Sequence, residues 1–139
     1  MELWIIPVVL GPIAIVGMFA LVSMVISATG WQTLASVYQD RDFSASEAWL
    51  APFVSFGWLG QYRGVVRIET DPIGVRFSVL WLFKAGHRPF VVPWAEVSVD
   101  DATGWYQKVT FMQAPNKPLR MNKASVERME TAAGRSLRR

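Results

Sequence analysis

The sequence predicts a single amino-terminal transmembrane helix followed by a small α+β domain, an antiparallel curved sheet or open barrel closed by a carboxyl-terminal amphipathic helix. Three observations predict it. No charged residue occurs from Leu3 to Gln39, the apolar period then changes to two across Gln61–Gln113, and a helical stripe returns at Val126, Met129, Ala133 and Leu137. The implied organisation is an anchor over residues 1–30, an interfacial helix and connector over 31–52, and a β-rich domain over 53–139.

The 26 residues from Leu3 to Ala28 are almost wholly apolar. At about 1.5 Å per helical residue they reach roughly 39 Å, enough to cross a hydrocarbon core of about 30 Å with some tilt. No basic region precedes the run and no convincing Ala-x-Ala site closes it, so the segment reads as a retained anchor rather than a cleaved signal. Gly11-Pro12 either kinks the helix or marks where helix proper begins. Trp4 and Trp31 sit at its two ends as interfacial aromatic anchors do, and Trp31, Leu34, Ala35 and Tyr38 continue one helical face along the interface. The span carries no ionisable residue, which argues against an ion path, a proton relay or an axial cofactor ligand. All 14 lysines and arginines follow the helix, so the domain is expected in the cytoplasm.

Ser44-Ala45-Ser46-Glu47 fits a capping box and predicts either a short helical turn through Leu50, stopped by Pro52, or a polar connector. Gln61–Glu69 and Val75–Phe83 flank Asp71-Pro72-Ile73-Gly74, a turn in which proline presets φ and glycine accepts a positive φ. Val75, Phe77, Val79, Trp81 and Phe83 then share the core face. Further strands are predicted at Arg88–Trp94, Glu96–Asp100, Trp105–Gln113 and Pro118–Asn122, with Phe53–Leu59 a candidate before them. Pro89 and Pro93 restrict Arg88–Trp94 to an edge or a bend.

Chemistry is sparse. The chain has no cysteine and one histidine, which excludes a disulfide framework, a thiolate metal site and cysteine catalysis. His87 lies in a turn, Gly86-His87-Arg88-Pro89, with no orienting acid or nucleophile beside it, and Asp100-Asp101 reads as a solvated pair. No phosphate loop, dinucleotide fingerprint, EF-hand or nucleophile elbow occurs. No catalytic, cofactor-binding or metal-binding residue is therefore nominated, and a non-enzyme is expected. A net charge of +3 is too weak an electrostatic footprint for nucleic acid. Arg63, Arg67 and Arg76 form a candidate basic patch for anionic lipid headgroups, worth about 1 kcal/mol per charge. Seven tryptophans exceed what one small core buries, which nominates Trp49, Trp58 and Trp105 as partner contacts.

The strings Gly30-Trp31, Leu34-Ala35, Tyr38, Tyr62-x-Gly64, Gly74-Val75-Arg76-Phe77-Ser78-Val79, Leu82-Phe83, Gly86-His87-Arg88-Pro89 and Val92-Pro93-Trp94-Ala95-Glu96-Val97 resemble small membrane-anchored bacterial proteins of unknown function with a pleckstrin-homology-like domain. The resemblance covers about residues 30–97 and implies a fold and a bacterial inner membrane, with no activity or ligand residue to transfer. The first functional expectation is an accessory subunit that stabilises or assembles a large photosynthetic reaction-centre/antenna or respiratory complex. The second is a free membrane-tethered module that recognises anionic headgroups, or a peptide added along Arg88–Trp94.

Overall fold

The computed structural model describes residues 3–57, 60–100 and 106–138. Trp58 and Trp105, nominated as partner contacts, lie outside the described residues, as do Asp101 and Arg139.

Helix α1 runs Ile5–Ser27 and is long and apolar enough to cross a membrane; its apolar side chains are largely exposed except near its carboxyl-terminal end, where Ile26 packs on the domain. It starts ahead of Pro12 and continues through it. The helical face expected to follow α1 along the interface breaks at Thr29-Gly30 and restarts as α2, Trp31–Val37. Instead of lying at a surface, α2 is folded into the domain: Trp31, Leu34, Ala35 and the following Tyr38 are all buried.

Strands follow at β1 (Glu47–Ala51), β2 (Val54–Ser55), β3 (Gln61–Tyr62), β4 (Val66–Thr70), β5 (Gly74–Val79), β6 (Phe90–Pro93), β7 (Val97–Asp100), β8 (Tyr106–Phe111) and β9 (Ala114–Asn122). They form two antiparallel sheets, ordered β1-β4-β5-β6 and β3-β2-β9-β8-β7. The turn of helix considered for Ser44–Leu50 is strand β1, paired Glu47 to Thr70 through Ala51 to Val66; the ladder with β4 outweighs the local capping signal. The expected strand Gln61–Glu69 is split between the two sheets at Gly64, which takes φ +69°. The β4–β5 hairpin forms with Ile68 opposite Phe77. Asp71 Oδ1 accepts the Ile73 and Gly74 amides, each at 2.8 Å. Gly74 is required here for a different reason than expected. Its φ is not positive; a Cβ there would stand 2.5 Å from the Val92 carbonyl oxygen, so only glycine lets β5 and β6 approach.

β5 ends at Val79. The expected continuation through Trp81 and Phe83 is a 3-10 turn, η1 (Trp81–Phe83), and Trp81, placed by period on the core face, is 78% exposed. Phe77 and Phe90 stack at 5.2 Å from the first sheet, and Phe111 meets Phe77 edge-on at 5.9 Å from the second. That aromatic contact, with Ile68, Leu119 and Met121, fills the space between the sheets.

Helix α3, Lys123–Ala133, packs Val126 and Met129 into this core. The stripe expected to reach Leu137 is cut at Gly134, a left-handed cap with φ +71°. Leu137 is buried all the same, because the chain doubles back and its carbonyl accepts the Val99 amide beside the edge of β7. Trp49 bridges β1 to α3: its indole donates to Ser125 Oγ at 3.0 Å, and the Arg128 guanidinium, paired with Glu47, lies 4.2 Å over its ring. A small α+β domain with antiparallel sheets and a carboxyl-terminal helix thus follows one apolar helix.

Candidate functional site at the root of α1

The carboxyl-terminal end of α1 is built into the domain by close contacts that leave no room for side chains. Gly60 faces Thr29, Gly86 faces Ser27 Oγ, and Gly30 faces the Phe56 ring; a Cβ at any of them would overlap its neighbour. Ser27 Oγ donates to the Met24 carbonyl and accepts from Gln32 Nε2, each at 2.7 Å, while Thr29 Oγ1 donates to the Ile26 carbonyl. Lys117 Nζ donates to the Thr29 carbonyl at 3.3 Å, a cation where the helix leaves unsatisfied carbonyls. Helix and domain therefore meet at a fixed joint.

Trp31 forms the centre of the joint. Its ring packs at 5.7 Å from Tyr62, 5.3 Å from His87 and 5.1 Å from Phe90, and its indole donates to the Arg88 carbonyl at 2.8 Å. The expectation of a lipid-facing anchor fails here because the residue is 1% exposed; the ring is consumed by the domain. Tyr38 departs likewise. Its hydroxyl donates to Glu96 Oε1 and accepts the Gln113 amide, and burial with the neighbouring Glu96 carboxylate raises its pKa although the Gln113 bond opposes this. Trp4 alone of the three is exposed, at the far end of α1.

His87, read from the sequence as a turn residue, is buried. The Ala85 carbonyl can only accept, so Nδ1 carries the proton at 2.9 Å and Nε2 accepts the Tyr62 hydroxyl at 2.8 Å. Burial holds the imidazole below its ordinary value of 6.5 despite the opposing carbonyls of Ala85 and Phe83, and burial raises the Tyr62 phenol. The sign follows. The unfolded chain takes up the His87 proton near 6.5 and the folded chain only at lower pH, so this contribution is complete above 6.5 and is lost as pH falls below it. Thermal unfolding followed between pH 7.5 and 5 is expected to show a falling midpoint below about 6.5, and His87→Gln is expected to flatten that fall.

Around this joint lies a cleft of about 350 Å³ lined by Ser23, Ile26, Gln61, Tyr62, Arg63, Val65, Phe83 and His87. Its walls are mainly apolar. Ser23, 2% exposed, contributes a hydroxyl that has no hydrogen bond within the described residues, and Arg63 is exposed at the lip. This combination suits an amphiphile, with apolar surface along α1 and a cation at the mouth.

The structure regroups the three arginines nominated as a headgroup patch. Arg67 and Arg76 lie on β4 and β5 beside Glu69, and Arg76 is held by Glu69 at 2.7 Å and by Asp40 at 2.9 Å. The Arg76 bonds pull the Asp40 carboxyl below the usual carboxylate range against a smaller effect of burial. Arg63 stands apart from them at the cleft. Its guanidinium lies 6.0 Å from the Phe53 ring, and other cations meet the joint at separate points: Lys84 follows Phe83, whose ring meets Phe19 of α1 edge-on at 6.2 Å; Arg88, which lines a second cleft with Asp40, supplies the carbonyl that holds Trp31; and Lys117 reaches Thr29. Arg63, Lys84 and Arg88 are exposed and make no ion pair among the described residues. No acidic residue occurs in the segments 60–65 and 80–89 that carry them.

Gly86, at φ +73°, is the joint's most constrained position. Gly86→Ala puts a side chain into a left-handed conformation, costing about 1–2 kcal/mol, and pushes it into Ser27. The expected result in detergent micelles is a lower unfolding midpoint and faster proteolysis within residues 28–31, whereas Gly17→Ala, with open space around it, changes neither.

Compared with protein-family models, with curated proteins and with solved structures, the chain finds no match.

Proposed function

We propose that the chain is a single-pass protein of a bacterial inner membrane, a non-enzymatic tethered module whose pleckstrin-homology-like domain lies on the cytoplasmic leaflet and binds anionic lipid headgroups at the root of α1. The observation that carries this reading is that Arg63, Lys84, Arg88 and Lys117 belong to segments that meet the root of α1 and, among the described residues, make no ion pair with a carboxylate. Cations next to a membrane-crossing helix favour the cytoplasmic face, and each attracts an anionic surface by about 1 kcal/mol. Close to α1 in sequence the charges are Asp40, Arg41, Asp42 and Glu47, a net acidic set. The positive charge comes there from residues 36 to 90 positions beyond Ser27.

Element order supports the fold assignment: two antiparallel sheets, then one helix closing the gap beside β1. The lipid reading gains over the peptide reading because Phe90, Val91 and Val92 of β6 are buried as whole residues, which leaves that edge no accessible backbone to extend. It gains over a subunit clamped to a large complex because Trp49, nominated for such a contact, is already engaged by Ser125 and Arg128.

Native electrophoresis of gently solubilised membranes, with this chain followed by mass spectrometry, tests the choice. The module reading expects migration near the chain's own mass of 15.6 kDa plus bound detergent and lipid. Co-migration with a complex of hundreds of kilodaltons would return the assignment to an accessory subunit.

A further inference from the structure

We infer that the turn Leu80–Phe83 is a second membrane-contacting element, a wedge that enters the acyl region beside α1 and fixes the rotation of the domain about the helix; this rests on α1 crossing the bilayer. Phe83 touches Phe19, which lies eight residues before the end of α1. At about 1.5 Å per residue that contact is roughly 12 Å down the helix from its carboxyl-terminal end. A bilayer deep enough to cover α1 therefore covers Phe83 as well. The turn places Trp81 at 78% and Leu80 at 40% exposure, an apolar surface continuous with the exposed flank of α1. Trp81 has no bond or ring contact within the described residues that would give the indole another role.

Part of the backbone of the turn is satisfied within the protein. Leu80 donates to the Val65 carbonyl at 3.0 Å, Phe83 to Leu80 at 2.9 Å, Lys84 to Trp81 at 3.4 Å and His87 to Lys84 at 2.9 Å. Non-helical backbone is tolerated at membrane depth where it is satisfied and packed against protein, as Phe83 is against Phe19. Lys84 then ends the apolar run, its long stem able to carry the ammonium back to the headgroups. Trp81, with an amphipathic ring, suits the boundary between the two zones. Of the two residues that the hydrophobic period put on a core face, Phe83 packs against α1 and Trp81 is left for lipid.

The chain contains no cysteine, so single-site labelling needs no background removal. Full-length Trp81→Cys, Val16→Cys and Ile73→Cys, each at an exposed position, are reconstituted into vesicles of phosphatidylcholine and phosphatidylglycerol and labelled with a nitroxide. Collision rates with oxygen, which concentrates in acyl chains, and with a water-soluble nickel chelate report depth. The expected oxygen-to-nickel ratio at position 81 is at least about fivefold above that at position 73, near the β4–β5 turn, and approaches that at position 16. A ratio at 81 equal to that at 73, with 16 still in lipid, would overturn the wedge and leave the anchor intact. A water-exposed label at 16 would overturn both.

Discussion

Trp31→Ala is expected to destabilise the domain by about 3–5 kcal/mol, the cost of emptying a fully buried large aromatic site. The ring touches Tyr62, His87 and Phe90 at once, so its removal opens the space between α2, β3 and β6 and frees the first turn of α2 from the Arg88 carbonyl. Thermal unfolding of the full chain in detergent, followed by circular dichroism, should show a midpoint lowered by at least about 10 °C, since each kcal/mol is worth about 4–8 °C in a domain of this size. Trp31→Phe separates packing from hydrogen bonding. It keeps most of the area but leaves the Arg88 carbonyl without its donor, a loss of about 1–3 kcal/mol. A midpoint unchanged by the alanine substitution would mean that Trp31 lies in lipid, as its position at the end of the apolar run first suggests.

Combined Arg63→Ala, Lys84→Ala and Arg88→Ala is expected to remove about 3 kcal/mol of attraction to anionic lipid at low ionic strength, from about 1 kcal/mol per charge. The unfolding midpoint should stay within about 2 °C of the parent, because these side chains are exposed and replace no core contact. The quantity to measure is phosphatidylglycerol retained per chain after gentle purification from mixed vesicles, which should fall to the level of zwitterionic lipid. Arg67→Ala with Arg76→Ala is the matched comparison. Those guanidiniums already face Glu69 and Asp40, so their loss should leave lipid retention nearly unchanged while releasing carboxylates. Equal losses from the two sets would place the headgroup surface on the β4–β5 face instead of at the root of α1.

Legibility followed the range of the interactions. A 23-residue apolar helix is a local property, and so are the β4–β5 hairpin and the helix carrying Val126 and Met129. Where partners distant in sequence decide, local pattern fails. Ser44–Glu47 carries a capping signal that the β4 ladder overrides, and Leu137 keeps a helical phase that Gly134 ends. Period two runs on past Val79, yet the chain turns there, and Phe83 meets Phe19 of α1 while Trp81 is exposed. The site shows the same division. Arg63 is legible as an exposed cation, but its place in a cleft with Ser23, Phe83 and His87 is not, and Lys117 reaches the Thr29 carbonyl only because β9 closes on the end of α1. His87 reads as a turn residue because the ring's partners, Tyr62 and Trp31, stand 25 and 56 positions away. Gly30, Gly60 and Gly86, spread over the same distance, gave a signal that could have been used, since each precedes or follows a residue of the joint.

The most direct test of headgroup binding is the association of spin-labelled lipids with the unmodified full chain in phosphatidylcholine vesicles. Labelled phosphatidylglycerol should be motionally restricted by the protein several-fold more than labelled phosphatidylcholine, with the preference shrinking as salt rises and screening sets in over about 10 Å at 0.1 M. Equal restriction of the two lipids at low salt would contradict the account: the cations at the root of α1 would then not form a binding surface for anionic headgroups.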